Sequence, residues 1–281
     1  AFFLRVIFLQ SNALTFGYDQ ARDALISRQI LSGDLKIQGP PSSQPGLFHG
    51  VLYYYFLAPA YYFGDGSPLF TAYYLAFFNS LTVFIVFFLA KLATKNIKLA
   101  LFSAFLFAIS FEASQYATWA SNPTIAIWTV PLMYLGLWIW INQEKQTKSN
   151  LGPILAGIGL GLSIQAEIFL VYHIIPLVIW LMIGKSNITK KGLVIFVGTL
   201  ILVVSSLILC EFKFGFNSLA AAKSLANSSS GNLAYAKSVG DYLVLYLNQI
   251  GRIFAFNTYP GNIGYGGISI IVLGIYSLFN W

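Results

Sequence analysis

Apolar runs of roughly membrane-spanning length alternate along this chain with short polar segments. They occupy residues 1–16, 68–90, 99–113, 122–141, 152–184, 193–210 and 263–279. The first run is short and contains Arg5 and Gln10. Because about 20 apolar residues in a helix cross the hydrocarbon core of a bilayer, the pattern predicts an all-α, polytopic membrane protein.

The lysines predict the orientation of these spans. Half of the sixteen basic residues lie in three short segments between the apolar runs: Lys91, Lys95 and Lys98; Lys145 and Lys148; Lys185, Lys190 and Lys191. Short loops rich in lysine usually stay in the cytoplasm. We therefore expect all three segments to be cytoplasmic.

The run 152–184 has basic segments at both ends, so this topology requires it to cross the membrane twice. Each pass then has about 16 residues, or roughly 24 Å at helical rise, which is less than the ~30 Å hydrocarbon core. We expect the turn at Gln165-Ala166-Glu167 to lie below the outer surface. The total is about eight crossings in one domain over 1–281, which we expect to be the N-terminal part of a longer protein, truncated at both ends.

The carboxylates divide unevenly between the two sides of this topology. Only Glu144 lies on the cytoplasmic side. The other eight are Asp19, Asp23, Asp34, Asp65, Glu112, Glu167, Glu211 and Asp241. The two large outer segments are 17–67 and 211–262. An acidic active site in a cell (inner) membrane protein of this kind would face away from the cytoplasm.

Composition narrows the chemistry. Charged residues make up only 9% of the chain and hydrophobic residues 57%, whereas a soluble domain is about 25% charged. The net charge of +7 resides largely in the lysine loops, so it does not indicate nucleic acid. One cysteine and two histidines are too few for a zinc site. No cofactor is predicted with certainty, and a bound metal would be a divalent cation held by carboxylates.

The first outer segment begins with a predicted helix at 17–33. Asp19 lies near its positive N-terminal end and Gly33 is a C-terminal stop. Asp19 and Asp23 are four residues apart and share a face, which Arg22 borders.

A proline-rich loop at 39–46 follows, and a second short helix begins within 47–57. The tyrosines at 53–55 are typical of a helix at the headgroup level. Two juxtamembrane helices would thus form a roof over a cavity.

Three motifs in this segment have a family likeness: Tyr18-Asp19-Gln20-Ala21-Arg22-Asp23-Ala24, Gly39-Pro40-Pro41 and Phe48-His49-Gly50-Val51-Leu52-Tyr53-Tyr54-Tyr55. They resemble the GT-C superfamily of membrane glycosyltransferases, in the bacterial branch related to protein O-mannosyltransferases and the lipid A aminoarabinose transferase. The resemblance covers most of the chain, including 211–216. It implies transfer of a hexose or pentose from a polyprenyl-phosphate donor to a lipid, glycan or protein acceptor.

The resemblance also implies roles. Asp19 would be the base or orienting carboxylate, with Glu167 as a second acidic partner. Arg22 and Arg28 would bind the leaving phosphate, because an arginine fork matches phosphate geometry. Further substrate-binding candidates are Asp23, His49, Tyr53, Asn122 and Gln165, and weaker phosphate candidates are Arg252 and Lys36.

The chain departs from the family pattern at three places. Gln20 stands where the family often has glutamate, and Asn122 lies in a segment that often carries a second acid. Gln165-Ala166-Glu167 resembles a Gln-x-His position, with Glu167 replacing the histidine. The second acid has therefore either moved to Glu167 or is absent.

Each candidate also has a structural interpretation. Asp19 could be a helix cap and nothing more, and Asp23 could belong to a surface network with Arg22 or Arg28. Glu167 could pair with His173 or Gln165, while His49 could be a packed loop histidine. At the level of function, a membrane transporter or lipid flippase and a non-catalytic GT-C-like protein are the alternatives. Inverted repeats, which many transporters have, are not evident.

Overall fold

The structure is a computed structural model that describes residues 1–11, 13–142, 149–183, 188–232 and 238–254, together with 267–268, 271–272 and 275. Within these ranges it is all-helical, apart from one isolated β-bridge between Pro41 and Phe48. The α-helices are α1 (Phe2–Val6), α2 (Tyr18–Leu31), α3 (Leu52–Phe63), α4 (Pro68–Thr94), α5 (Ile97–Ile109), α6 (Phe111–Ala117), α7 (Ala126–Asn142), α8 (Leu151–Ala166), α9 (Ile174–Ile183), α10 (Lys190–Lys213), α11 (Asn217–Asn232) and α12 (Val239–Phe254). Three 3-10 helices are η1 (Ile7–Ser11), η2 (Asn122–Ile125) and η3 (Ile168–His173).

In the described residues, three helical segments are long and apolar enough to cross a membrane: Pro68–Thr94, Asn122–Asn142 and Lys190–Lys213. The pair α5 and α6, bent by 54°, makes a fourth if it is counted as one span. These are fewer than the eight expected, because the segments Phe2–Ser11, Leu151–Ala166 and Ile168–Ile183 form shorter apolar helices. The expected span 263–279 lies almost entirely outside the described residues.

Small residues allow α8 to pack closely between α7 and α10. On the α7 side, a Cβ on Gly152 or Gly159 would lie 2.6 or 2.3 Å from the backbone nitrogen of Trp140 or Met133. On the α10 side, a Cβ on Gly157 would lie 2.9 Å from the carbonyl oxygen of Phe196. Glycine at such positions lets apolar helices approach backbone to backbone. The pairing makes α7 and α8 antiparallel.

This register separates lysines from the 165–167 turn. A Cβ on Gly192, two residues after the start of α10, would lie 2.9 Å from Trp140 Nε1, at the end of α8 that holds Gly152. At the opposite end, Gln165 donates a hydrogen bond to Ser206 Oγ at 2.7 Å. Lys190 and Lys191 therefore lie at the other end of these helices from Glu167. The predicted cytoplasmic residues Glu144, Lys145, Lys148 and Lys185 lie outside the described residues.

The chain divides into two compact units, Ala1–Ala222 and Lys223–Trp281. The first contains every described candidate site residue except Arg252. The second contains α12, an amphipathic helix that agrees with the helical spacing seen in the outer segment 211–262.

Candidate active site

The two predicted roof helices are present as α2 and α3, and they pack on each other. Ile30, Tyr54 and Leu57 belong to one buried apolar cluster. Ser27 Oγ lies 2.7 Å from the carbonyl oxygen of Asp23 and 3.1 Å from that of Tyr54, so its hydroxyl joins the two helices. Because α2 is tied to α3 in this way, its polar face has a fixed direction.

Gln20 organises the start of α2. Its side-chain oxygen accepts a hydrogen bond of 2.8 Å from the backbone N–H of Gly17, and the side chain is buried. The first N–H groups of a helix have no intrahelical partner, so a side-chain acceptor at this position stabilises the turn. The residue that departs from the family pattern thus has a structural role that the sequence did not indicate.

Arg22 bridges the two aspartates of α2. Its Nη1 lies 2.7 Å from Asp19 Oδ1, while its Nε and Nη2 lie 2.9 and 2.7 Å from Asp23 Oδ1. The side chain of Asp19 is 65% exposed and that of Asp23 only 1%. The two aspartates thus share a face of α2 but differ greatly in their exposure to solvent.

Asp23 is a buried carboxyl group with an incomplete set of partners. Burial raises its pKa to about 6, although Arg22 acts in the opposite direction. Its second oxygen, Oδ2, and the hydroxyl of Tyr53 are both buried without a hydrogen-bond partner. Burial also raises the pKa of Tyr53, and the negative charge of Asp23 adds to that effect. Two buried polar atoms of this site are therefore left without compensation for their burial.

His49 and Glu167 form a second group of candidates. His49 Nδ1 lies 3.4 Å from Glu167 Oε1 and accepts a hydrogen bond of 3.1 Å from the backbone N–H of Ile168. A nitrogen that accepts this bond carries no proton, so the imidazole is the neutral tautomer with its proton on Nε2. Burial, with a contribution from the positive charge of Arg22, lowers the pKa of His49 to about 4. The contact with Glu167 is therefore not an ion pair near neutral pH.

Amide side chains hold the turn that carries Glu167. Asn122 Nδ2 donates to the carbonyl oxygen of Ala166 at 2.6 Å. Gln165 Nε2 donates to the main-chain carbonyl oxygen of Val203 at 2.8 Å. The main-chain carbonyl oxygen of Gln165 accepts a hydrogen bond of 2.8 Å from the N–H of Gly50. The side chains of Asn122 and Gln165 are buried. Their role is therefore to fix the backbone around Glu167 by hydrogen bonds to main-chain carbonyl oxygens.

The structure brings most of the predicted site residues into two groups. The groups are neighbours, because the positive charge of Arg22 in one contributes to the lowered pKa of His49 in the other. The first group is Asp19, Arg22, Asp23 and Tyr53, and the second is His49, Asn122, Gln165 and Glu167.

Two predicted cations do not join these groups. Arg28 is exposed in the last turn of α2 and lies next to Gly66. Lys36 pairs with Asp34. The described structure says nothing of the Arg252 side chain.

Pairing of Glu167 with His173 or with the Gln165 side chain is not what the structure shows. His173 Nδ1 instead lies 2.9 Å from the hydroxyl of Tyr134. Glu167 Oε1 instead accepts a hydrogen bond of 3.5 Å from the backbone N–H of Phe169 and lies 3.4 Å from His49 Nδ1. No local pattern could have indicated the contact with His49, which is 118 positions away in the chain. In the described part of the chain, no group of three or more His, Cys, Asp or Glu residues could hold a metal ion.

Comparison with protein-family models, with curated proteins and with solved structures gives no match. The geometry of the site is therefore the basis for a functional assignment, with the motif resemblance beside it.

Proposed function

We propose that this protein is a membrane glycosyltransferase that moves a sugar from a polyprenyl-phosphate donor to an acceptor on the extracytoplasmic side of the cell (inner) membrane. The observation that carries the proposal is the network around Arg22, which holds one exposed and one buried aspartate at the start of a roof helix. The shorter apolar segments Phe2–Ser11, α8 and η3–α9, together with the predicted span 263–279, would bring the four spans to a topology of about eight crossings.

In this proposal Asp19 meets the acceptor. Its carboxylate is the exposed member of the network, and it takes the proton of the acceptor hydroxyl as the acceptor oxygen forms a bond to C1 of the sugar. The bond between C1 and the phosphate oxygen breaks, and the lipid phosphate leaves with the electron pair.

Arg22 is a positioning residue in this mechanism. Its Nε and both terminal nitrogens already bond to carboxylates, which fixes the direction of Asp19. Of the residues in the two groups, only Arg22 carries a positive charge that can compensate the leaving phosphate, since His49 is neutral. His49 and Glu167 line the far side of the acceptor position.

The Asp19→Asn variant tests the proposal. We expect release of labelled sugar from a polyprenyl-phosphate hexose or pentose, measured in membranes that contain the full chain, to fall at least about 100-fold, the scale of general-base catalysis. Asp34→Asn is the matched control, because Asp34 is also an exposed aspartate of the first outer segment and pairs with Lys36. Full activity of Asp19→Asn at normal expression would refute the assignment.

A further inference from the structure

A groove of about 690 Å³ lies beside the first helix, apart from the aspartate network. It is formed by α1, η1 and the segment that follows them on one side, and by α6 with the turn after it on the other. One part of its wall is apolar, with Leu9, Ala13 and Phe111. The remaining wall carries hydroxyl and amide groups, including Ser114, Gln115 and Tyr116. The groove is therefore amphipathic.

Arg5 brings a positive charge to this groove, and the ring of Phe107 lies 5.4 Å from its guanidinium carbon. The residue lines the groove and is only 2% exposed. Its terminal nitrogens donate to the carbonyl oxygens of Ala1, Phe107 and Ala108 at 3.2 to 3.4 Å. Its Nε is buried without a hydrogen-bond partner, and across the described ranges no carboxylate forms an ion pair with it.

The carbonyl contacts explain only part of the burial of Arg5. Phe107 and Ala108 lie at the C-terminal end of α5, where the chain bends by 54° into α6. The last carbonyl groups of a helix have no intrahelical partner and carry partial negative charge, so Arg5 stabilises the bend. A full positive charge buried in an apolar setting nevertheless costs free energy unless an anion accompanies it. In a membrane protein a buried ionisable residue of this kind is by default a candidate functional site.

We propose that the groove binds the phosphate of an anionic bilayer lipid, with Arg5 as its counter-charge. The amide of Gln115 and the hydroxyl of Tyr116 supply hydrogen bonds to the headgroup, whereas the hydroxyl of Ser114 already donates to the carbonyl oxygen of Ser110 at 2.8 Å. The exposed apolar lining at Ala13 and Phe111 takes the first part of an acyl chain, which a free anion would leave empty. This inference does not depend on the proposed sugar transfer.

The test measures lipid preference with the full chain in detergent. We expect phosphatidylglycerol to raise the thermal unfolding temperature, and to be retained in native mass spectrometry at least about 10-fold more than phosphatidylcholine. Arg5→Gln should abolish this preference. Gln115→Leu should weaken it, and this variant leaves the bonds between Arg5 and the α5 carbonyl groups intact, so it reports on the groove even if Arg5→Gln fails to fold. Lys98→Gln, which removes an exposed charge in the first turn of α5, should change nothing.

Three results would overturn the proposal. One is equal retention of phosphatidylglycerol and phosphatidylcholine by the wild-type protein. Another is stabilisation by inorganic phosphate alone to the same degree, which would assign the site to a free anion. The third is an unchanged lipid preference in folded Arg5→Gln or in Gln115→Leu.

Discussion

Asp23 and His49 make opposing contributions to stability as the pH changes. The pKa of Asp23 rises from 3.8 to about 6, so the folded protein keeps a proton that the unfolded chain has lost. Its contribution is full below pH 3.8 and is lost as the pH rises through 6. The pKa of His49 falls from 6.5 to about 4, so the folded protein lacks a proton that the unfolded chain binds. That contribution is full above pH 6.5 and is lost as the pH falls through 4.

The two contributions are similar in size. Each pKa moves by more than two pH units, and one unit corresponds to about 1.36 kcal/mol, so each residue contributes about 3 kcal/mol of opposite sign between pH 4 and 6.5. Solvent screening reduces neither value greatly, since the side chains of Asp23 and His49 are only 1% and 6% exposed. We therefore expect these two residues to cancel in the wild-type protein.

Single substitutions separate the two contributions. Asp23→Asn removes the carboxyl titration, so the stability of this variant should rise with pH between 4 and 6.5 relative to wild type. His49→Asn keeps an acceptor for the N–H of Ile168 and removes the imidazole titration, so its stability should fall with pH relative to wild type. Thermal unfolding in detergent, in steps of half a pH unit, measures both slopes.

The exposed Asp34 supplies the control, and Asp34→Asn should follow the wild-type curve. The reasoning fails if Asp23→Asn runs parallel to wild type across the whole range. It also fails if both variants deviate in the same direction, because the burial of the two groups predicts opposite signs.

Two further predictions concern the backbone around the site. A Cβ on Gly50 would lie 1.6 Å from Gln165 Oε1 and 2.7 Å from the Gln165 Cα, so Gly50→Ala should lower stability by about 1 to 3 kcal/mol. Gly198→Ala is the control for the thermal unfolding measurement, because no atom of the described residues lies within 4 Å of its Cβ position. Gln20→Leu removes the acceptor for the Gly17 N–H and should cost about 0.5 to 2 kcal/mol, whereas Gln20→Glu keeps an acceptor and should retain nearly the wild-type unfolding temperature. Equal unfolding temperatures for the two Gln20 variants would contradict the capping role.

Features with local causes could be predicted from the sequence. The roof helix at 17–33 is present as Tyr18–Leu31, because its turn residues and helical spacing are encoded within one segment. The second roof helix is present as Leu52–Phe63. The sequence also predicted that Lys190 and Lys191 lie at the other end of their helices from the turn at Glu167. The positions of the lysines and of the turn depend only on where the apolar runs begin and end.

Features that depend on contacts between distant segments could not be predicted. The spacing of Asp19 and Asp23 showed that they share a face, but only the packing of α3 decides which one is buried. The contact between His49 and Glu167 depends on a loop that reaches the end of α8. Arg5 could have extended to the membrane interface, but the bend after α5 instead provides carbonyl groups for it.

The fate of the donor tests the central claim most directly. Liposomes that contain the full chain and a polyprenyl-phosphate sugar can be followed by mass spectrometry of the lipid. If the protein is a glycosyltransferase, the donor loses the mass of its sugar in the presence of a cell-envelope extract that supplies acceptors, and it does so in the wild type but not in Asp19→Asn. A donor mass that stays unchanged in the wild type would contradict sugar transfer, and movement of that donor between leaflets, followed by labelling of the outer leaflet, would favour a flippase.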